Sequence, residues 1–218
     1  MEGITGEWQL ACRSMSPSGA TDRPLGHGIE AGKTGGGNQK RKIIDKMMRI
    51  AFPIIVFLSL TGCLGMPEKV TPVENFELNR YLGKWYEIAR LDHPFERGLE
   101  RVSAEYSMRE DGGVSVVNRG YSIKDDEWKV AEGKAYFVDG ENKGYLKVSF
   151  FGPFYGSYVV FEIDEENYSY AFVSGPDTSY LWLLARTTEI PREIIEKFRR
   201  RAEALGFDTG NLIFVSHG

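Results

Sequence analysis

From Leu82 onward, apolar and polar residues alternate along the chain with a period of two. Val102, Ala104, Tyr106 and Met108 alternate with Arg101, Ser103, Glu105, Ser107 and Arg109, a pattern that buries one face of a strand and wets the other. Turn-forming clusters interrupt it at Asp111-Gly112-Gly113, Lys124-Asp125-Asp126, Asp139-Gly140, Asp164-Glu165-Glu166-Asn167 and Gly175-Pro176-Asp177. They bracket eight runs, near 82–92, 101–109, 114–123, 127–138, 144–151, 157–164, 168–174 and 179–187. Eight strands in succession with short connections predict an all-β fold, an eight-stranded antiparallel up-and-down β-barrel. A β-sandwich fits the strand count too, but the unbroken run of hairpins favours the barrel. The period then changes. Ile190, Ile194, Ile195, Phe198, Ala202 and Leu205 share one face of a helix opened by Pro191 and stopped by Gly206, predicted to pack outside the barrel wall. Arg199-Arg200-Arg201 falls largely on its polar side and reads as a solvated face. Leu212 to Val215 reads as a short final strand.

Upstream of the alternating region the chain divides differently. Residues 1–46 are expected to be a disordered extension, Gly/Ser/Thr/Pro-rich up to residue 39, with Met47 or Met48 as the true initiator. Gly32-Lys33-Thr34 lacks the spacing and the preceding strand of a phosphate-binding loop. Basic residues Lys40-Arg41-Lys42, Lys46 and Arg49 precede the apolar stretch Ile50 to Leu60, which is too short to span a bilayer stably. It reads as a secretion signal over 47–62, ending in Leu60-Thr61-Gly62-Cys63. Residues 63–74, punctuated by Pro67 and Pro72, read as a tether, and 75–218 as the barrel domain.

One stretch organises the strands. In Gly83-Lys84-Trp85-Tyr86 the glycine lets the backbone bend or approach another element closely, and Trp85 can plug one end of a small barrel. A buried indole face accepts a cation, and Arg186, ending the apolar run Tyr180 to Ala185, is the candidate. Gly83, Trp85 and Arg186 are thus assigned to barrel closure. Gly83-Lys84-Trp85-Tyr86-Glu87 resembles the first motif of the lipocalins, and Leu183-Leu184-Ala185-Arg186 resembles their last-strand motif. The family's middle motif is matched only loosely, by Asn167-Tyr168-Ser169-Tyr170. The runs Trp85 to Arg90, Val148 to Gly156 and Tyr180 to Leu184 narrow the likeness to the bacterial lipocalins, outer-membrane lipoproteins of that family, from about Cys63 to the C-terminus.

The resemblance implies a chemistry for Cys63. Leu-x-Gly-Cys looks like a lipobox, so the thiol would receive a diacylglycerol, cleavage would follow Gly62, and the new amino group would be acylated, with palmitate in keeping with such an anchor. Leu64 stands where an aspartate would mark inner-membrane retention, so outer-membrane delivery facing the periplasm is implied. The remaining chain carries 19 Lys and Arg against 26 Asp and Glu, a formal charge of −7, which argues against nucleic acid and against electrostatic membrane binding. The membrane would be held through acyl chains. The only other cysteine, Cys12, lies in the leader, so no disulfide framework supports the barrel.

Catalytic chemistry finds little support. His93 and His217 are far apart, with no metal-ligand spacing, and there is no Gly-x-Ser-x-Gly elbow. Asp92, His93 and Glu96 could do acid/base work, but they fall in the loop after the first strand and read as solvated. No cofactor, metal or catalytic residue is assigned. Aromatic residues, 13% of the chain, are the informative excess. Ligand-binding candidates are Phe95, Arg97, Arg101, Tyr106, Trp128, Tyr136, Phe150, Phe154, Tyr158 and Trp182. The expected ligand, as the resemblance implies, is a fatty acid or lysophospholipid, bound, stored or transported by a protein that is not an enzyme. Alternatives are an enzyme acting on such a lipid in the same cavity and a ligand-free structural lipoprotein. A homodimer is left open. In the entry loop Asp92 to Gly98, Phe95 is expected to rest over the mouth while Glu96 and Arg97 stay in water, and Arg97 or Arg101 to meet an anionic head group.

Overall fold

The alternating runs form eight antiparallel strands: β1 (Gly83–Arg90), β2 (Leu99–Met108), β3 (Val114–Ser122), β4 (Glu127–Phe137), β5 (Tyr145–Phe151), β6 (Phe154–Ile163), β7 (Tyr170–Ser174) and β8 (Leu181–Ala185). The structure, a computed structural model, describes residues 64–218; the expected extension, signal segment and Cys63 lie outside the described residues. Each strand pairs with its sequence neighbour, and β8 returns to β1 with Tyr86 opposite Ala185 and Arg90 opposite Trp182. β1 also pairs with β2, Gly83 opposite Tyr106. The ladder therefore closes on itself, which rules out the sandwich and removes the free edges an open sheet would carry.

The lead-in to β1 holds a helical turn, α1 (Leu78–Tyr81). Two local readings are corrected. The segment 152–156 is not a loop, because β6 begins at Phe154 and only Gly152-Pro153 turns between the paired Phe151 and Phe154. Met108, expected on the buried face, is 50% exposed at the far end of β2. The last strand, β9 (Ile213–Phe214), pairs with Ala89 and Arg90 of β1, beyond the point where the β1–β2 register ends at Tyr86 and Ser103.

Two apolar clusters divide the molecule into outside and inside. Outside, α2 (Arg192–Leu205) lays Phe198 and Ala202 on Phe172, Leu181 and Leu183, with the Phe172 and Phe198 rings edge-on at 5.0 Å. Pro191 precedes the helix and Gly206, at φ 92°, ends it in the left-handed conformation. Arg201 lies 3.5 Å from Glu162, and Arg199 lies over the Phe214 ring, so the arginine run is partly engaged with the wall. Inside, the second cluster fills the lower barrel around Trp85, which is fully buried.

Trp85 is held on every side. Its Nε1 donates to Tyr81 O at 2.7 Å, the Tyr81 ring centroid lies 4.7 Å away, and the Arg186 guanidinium sits 3.9 Å over the indole. Arg186 donates to Lys84 O at 2.9 Å, Arg80 O at 2.6 Å and Tyr168 O at 3.3 Å. Gly83 adopts φ 90°, a conformation costly for any other residue, where the chain turns from α1 into β1. We expect Trp85→Ala to cost on the order of 3–5 kcal/mol through the cavity it leaves. An unchanged urea midpoint would show that the ring does not close the barrel.

Candidate functional site

The lumen is closed at the Trp85 end and accessible at the other, where the β1–β2 loop and the turns β3–β4, β5–β6 and β7–β8 lie. Above the plug, the hydroxyls of Tyr81, Tyr158 and Tyr106 form a chain, at 2.6 Å between Tyr81 and Tyr158 and 2.9 Å between Tyr106 and Tyr158. Burial pushes all three phenols above their ordinary range, so they stay neutral. Two hydrogen bonds use two of the three hydroxyl protons, which leaves one O–H able to donate elsewhere.

Near the mouth opens a cavity of ≈ 480 Å³, counting space continuous with solvent. Phe95, Leu99, Val102, Gly120, Ala131 and Phe150 supply apolar surface, and Glu96, Asn118, Arg119 and Lys129 are polar or charged groups at its wall. Asn118 Oδ1 is buried without a hydrogen-bond partner. Apolar walls with a few polar groups are the lining of a small-molecule site.

A buried charged cluster adjoins the cavity. Arg90 Nη1 donates to Glu87 Oε1 at 2.6 Å, and its Nη2 to Glu96 O at 2.8 Å. Trp182 Nε1 donates to Glu96 Oε2 at 3.0 Å, and His93 Nε2 lies 3.3 Å from the same oxygen. A period of two would send Glu87 and Arg90 to opposite faces. A bulge between Glu87 and Ala89 sends Ile88 and Ala89 both into the outer cluster, and so returns Arg90 to the side of Glu87.

Burial raises the Glu87 carboxyl well above the ordinary range, the neighbouring Glu96 charge raises it further, and Arg90 opposes both. Burial also raises Glu96. Each carboxyl is thus held toward its protonated form beside the Arg90 cation. His93, only 3% exposed, stacks on Phe95 at 4.2 Å, and burial followed by the Arg90 charge drives its imidazole down to about 3.

The expected site residues fare unequally. Phe95 and Phe150 line the cavity, Trp182 reaches it through Glu96, and Tyr106 and Tyr158 belong to the hydroxyl chain below. Five candidates lie elsewhere. Trp128 has the strand parity opposite to Ala131 and Ala135 and is 54% exposed, Phe154 is 42% exposed, and Tyr136 leaves the lumen to donate to Asp111 Oδ2 at 2.9 Å. Arg101, at φ 52° beside a bulge in β2, is exposed and places its guanidinium 5.4 Å from the Tyr121 ring. Arg97 is exposed and paired with Asp92 at 2.6 Å. The reading of His93 and Glu96 as solvated is overturned, since the loop folds inward and buries both, Glu96 to 7% exposure. Glu87, Arg90 and Asn118 went unassigned; the legible signal was an ion pair inside an otherwise apolar strand. Among the described residues, no group of three or more His, Cys, Asp or Glu is placed to hold a metal ion.

Comparison with known proteins agrees with this architecture. Residues 76–217 match the family model described as lipocalin-like domain. The chain is 67% identical over 168 residues to the outer membrane lipoprotein Blc of Vibrio cholerae, covering 77% of this chain and 98% of that protein. It is 52% identical over 149 residues to the protein of the same name from Escherichia coli K12, covering 68% and 84% respectively. Among solved structures, insecticyanin from the tobacco hornworm Manduca sexta superposes with a TM-score of 0.57 at 22% identity, covering 71% of this chain and 87% of that one, a likeness of fold.

The buried imidazole has a consequence for stability. His93 titrates near 6.5 in the unfolded chain and at about 3 in the fold, so its contribution is present above pH 6.5 and is lost as pH falls toward 3. The raised Glu87 and Glu96 act with the opposite sign, favouring the fold at low pH and losing that as pH rises through their native values. We expect His93→Phe, which keeps the stack, to flatten the acid-side decline by up to about 1.4 kcal/mol per pH unit. Urea unfolding of both proteins at pH 4, 5.5 and 7 measures it; parallel profiles would mean that the imidazole is not held neutral.

Proposed function

We propose that this chain, a member of the lipocalin family, is an acyl-anchored carrier that takes up a fatty acid or lysophospholipid by its chain at the outer membrane. The observation that carries this reading is the apolar, one-ended cavity below the β1–β2 loop. The printed names of the Vibrio and Escherichia relatives, together with Leu60-Thr61-Gly62-Cys63, support the anchor and the compartment. No relative named above is named as an enzyme.

The distribution of charge supports entry of the lipid by its tail. Arg90 is committed to Glu87 and to the loop carbonyls, so it offers no free cation to a carboxylate or phosphate in the lumen. Of the cations that line the cavity, Lys129 is paired with Asp125 and Glu127, and Arg119 is exposed. Arg97 and Arg101, expected to meet a head group, are turned to Asp92 and Tyr121. The tail therefore enters and the head stays at the mouth, with about 0.8 kcal/mol gained for each methylene buried.

Displacement of a fluorescent fatty acid by ligands of increasing chain length is expected to show affinity rising by a few-fold per methylene until the cavity is filled. Ala131→Phe, placing a ring in the cavity wall, should weaken binding at least tenfold while leaving the unfolding midpoint within about 1–3 kcal/mol of the parent. Affinity independent of chain length would refute the buried tail. Extraction of protein purified from the envelope, followed by mass spectrometry, identifies the lipid carried. Release of free fatty acid from bound lysophospholipid, abolished by Glu96→Gln, would replace the carrier by an enzyme. For the anchor, radioactive fatty acid should label the parent and not Cys63→Ser; equal labelling would remove it.

A further inference from the structure

The segment before β1 climbs the outside of the barrel from the plugged end to the mouth. Phe76 N donates to Asn142 O in the β4–β5 turn at 2.8 Å, Val73 N to Val160 O at 2.9 Å, and Val70 is buried in the outer cluster. Gly65 N donates to Ser157 Oγ at 3.0 Å, near the mouth end of β6, and Pro176 O in the β7–β8 turn lies within van der Waals reach of a side chain placed there. The described chain therefore begins, at Leu64, beside the mouth and not beside the plug.

The same end carries much of the exposed apolar surface. Ile123 is 59% exposed and Trp128 54%, both at the β3–β4 hairpin, with Val130 at 44% below them. Phe154 beside the β5–β6 turn and Leu64 itself are similarly exposed. At the plugged end the large exposed apolar side chains among the described residues are Met108 and Val138. Charge does not explain the rim: in the β3–β4 hairpin Lys129 pairs with Asp125 and Glu127, which leaves no basic patch for an anionic surface. A tryptophan and aliphatic residues on protruding turns suit the boundary between lipid head groups and acyl chains. So small a rim holds a bilayer weakly alone, but a tether emerging beside it supplies the effective concentration that makes the contact persist.

We propose that the open end of the barrel docks on the phospholipid surface in which the Cys63 anchor is embedded, with Ile123, Trp128 and Phe154 in the interfacial layer. This rests on acylation at Cys63. It deepens the carrier reading, because a lipid chain then passes between bilayer and cavity without crossing water, while the plugged end faces the aqueous side.

The test uses the acylated chain, in which Cys63 is blocked, carrying one introduced cysteine at the mouth, Ile123→Cys, or at the plugged end, Met108→Cys. Each is labelled with an environment-sensitive nitrobenzoxadiazole dye and reconstituted in phosphatidylcholine vesicles with or without brominated phosphatidylcholine. Flotation with the vesicles reports the anchor separately from the orientation. The expected result is flotation of both proteins, with a blue shift and at least threefold stronger bromine quenching at position 123 than at 108. Flotation with equal quenching, or with stronger quenching at 108, overturns the orientation and leaves the anchor standing. A blue shift at 123 that grows with protein concentration and is insensitive to bromine assigns the rim to a second copy of the chain and also overturns it. Loss of flotation removes the anchor and the orientation with it.

Discussion

The contact between the Arg186 guanidinium and the Trp85 ring is the constraint on which the rest of the barrel depends. A cation at 3.9 Å over an indole contributes about 0.5–2 kcal/mol by itself, less than the ring's burial contributes. Its weight lies in what else Arg186 reaches: the last residue of the β8 run donates to carbonyls of α1, of the start of β1 and of the β6–β7 connection. One side chain thereby ties the first and last strands and the helical turn beneath them into a floor. Burial lowers the Arg186 pKa, while the guanidinium keeps its charge and so its hold on the ring.

A floor at one end makes the lumen asymmetric, and the polar groups inside follow that asymmetry. Next to the plug lies the neutral chain of tyrosine hydroxyls; toward the mouth lies the Glu87–Arg90–Glu96 cluster, roofed by His93 and Trp182. Isolated buried ions are expensive, and this cluster persists because Arg90 is paired with Glu87 and the loop carbonyls and Glu96 accepts from Trp182, while Arg90 Nε and both His93 nitrogens are buried without a hydrogen-bond partner. It also braces the loop that forms the roof, since Arg90 donates to the carbonyls of Glu96 and Leu99 at the two ends of the segment leading into β2.

The outer surface is organised around the same axis. The helix and the climbing N-terminal segment cover the wall with Phe198, Ala202 and Val70, and the segment delivers the chain to the mouth. Entry point, tether and apolar rim coincide at one end of the molecule. For a lipid carrier that coincidence shortens the aqueous path of a chain whose every exposed methylene is costly.

How much of this was legible in the residues differs by element. Alternation with turn clusters located all eight strands within a few residues, because hairpin pairing is local and each strand presents one wet face. Pro191 and Gly206 marked the outer helix for the same local reason, and the likeness of Gly83-Lys84-Trp85 and Arg186 to known motifs pointed to closure. The site was less legible. A bulge between Glu87 and Ala89 breaks strict alternation and sends both Glu87 and Arg90 inward, which no period read along the chain anticipates. Trp128, Tyr136 and Phe154 have the composition of a lining but lie outside it, since an aromatic ring is equally at home on either face of a strand until the register is set. His93 and Glu96 sit in a stretch whose Pro, Gly and charges describe a solvated loop. Only the folded chain brings Arg90, Trp182 and the loop carbonyls together in space, and it is those partners, distant or hidden by parity in the sequence, that make burying the Glu96 carboxyl affordable, while the His93 ring is held neutral by its burial among Phe95 and Trp182.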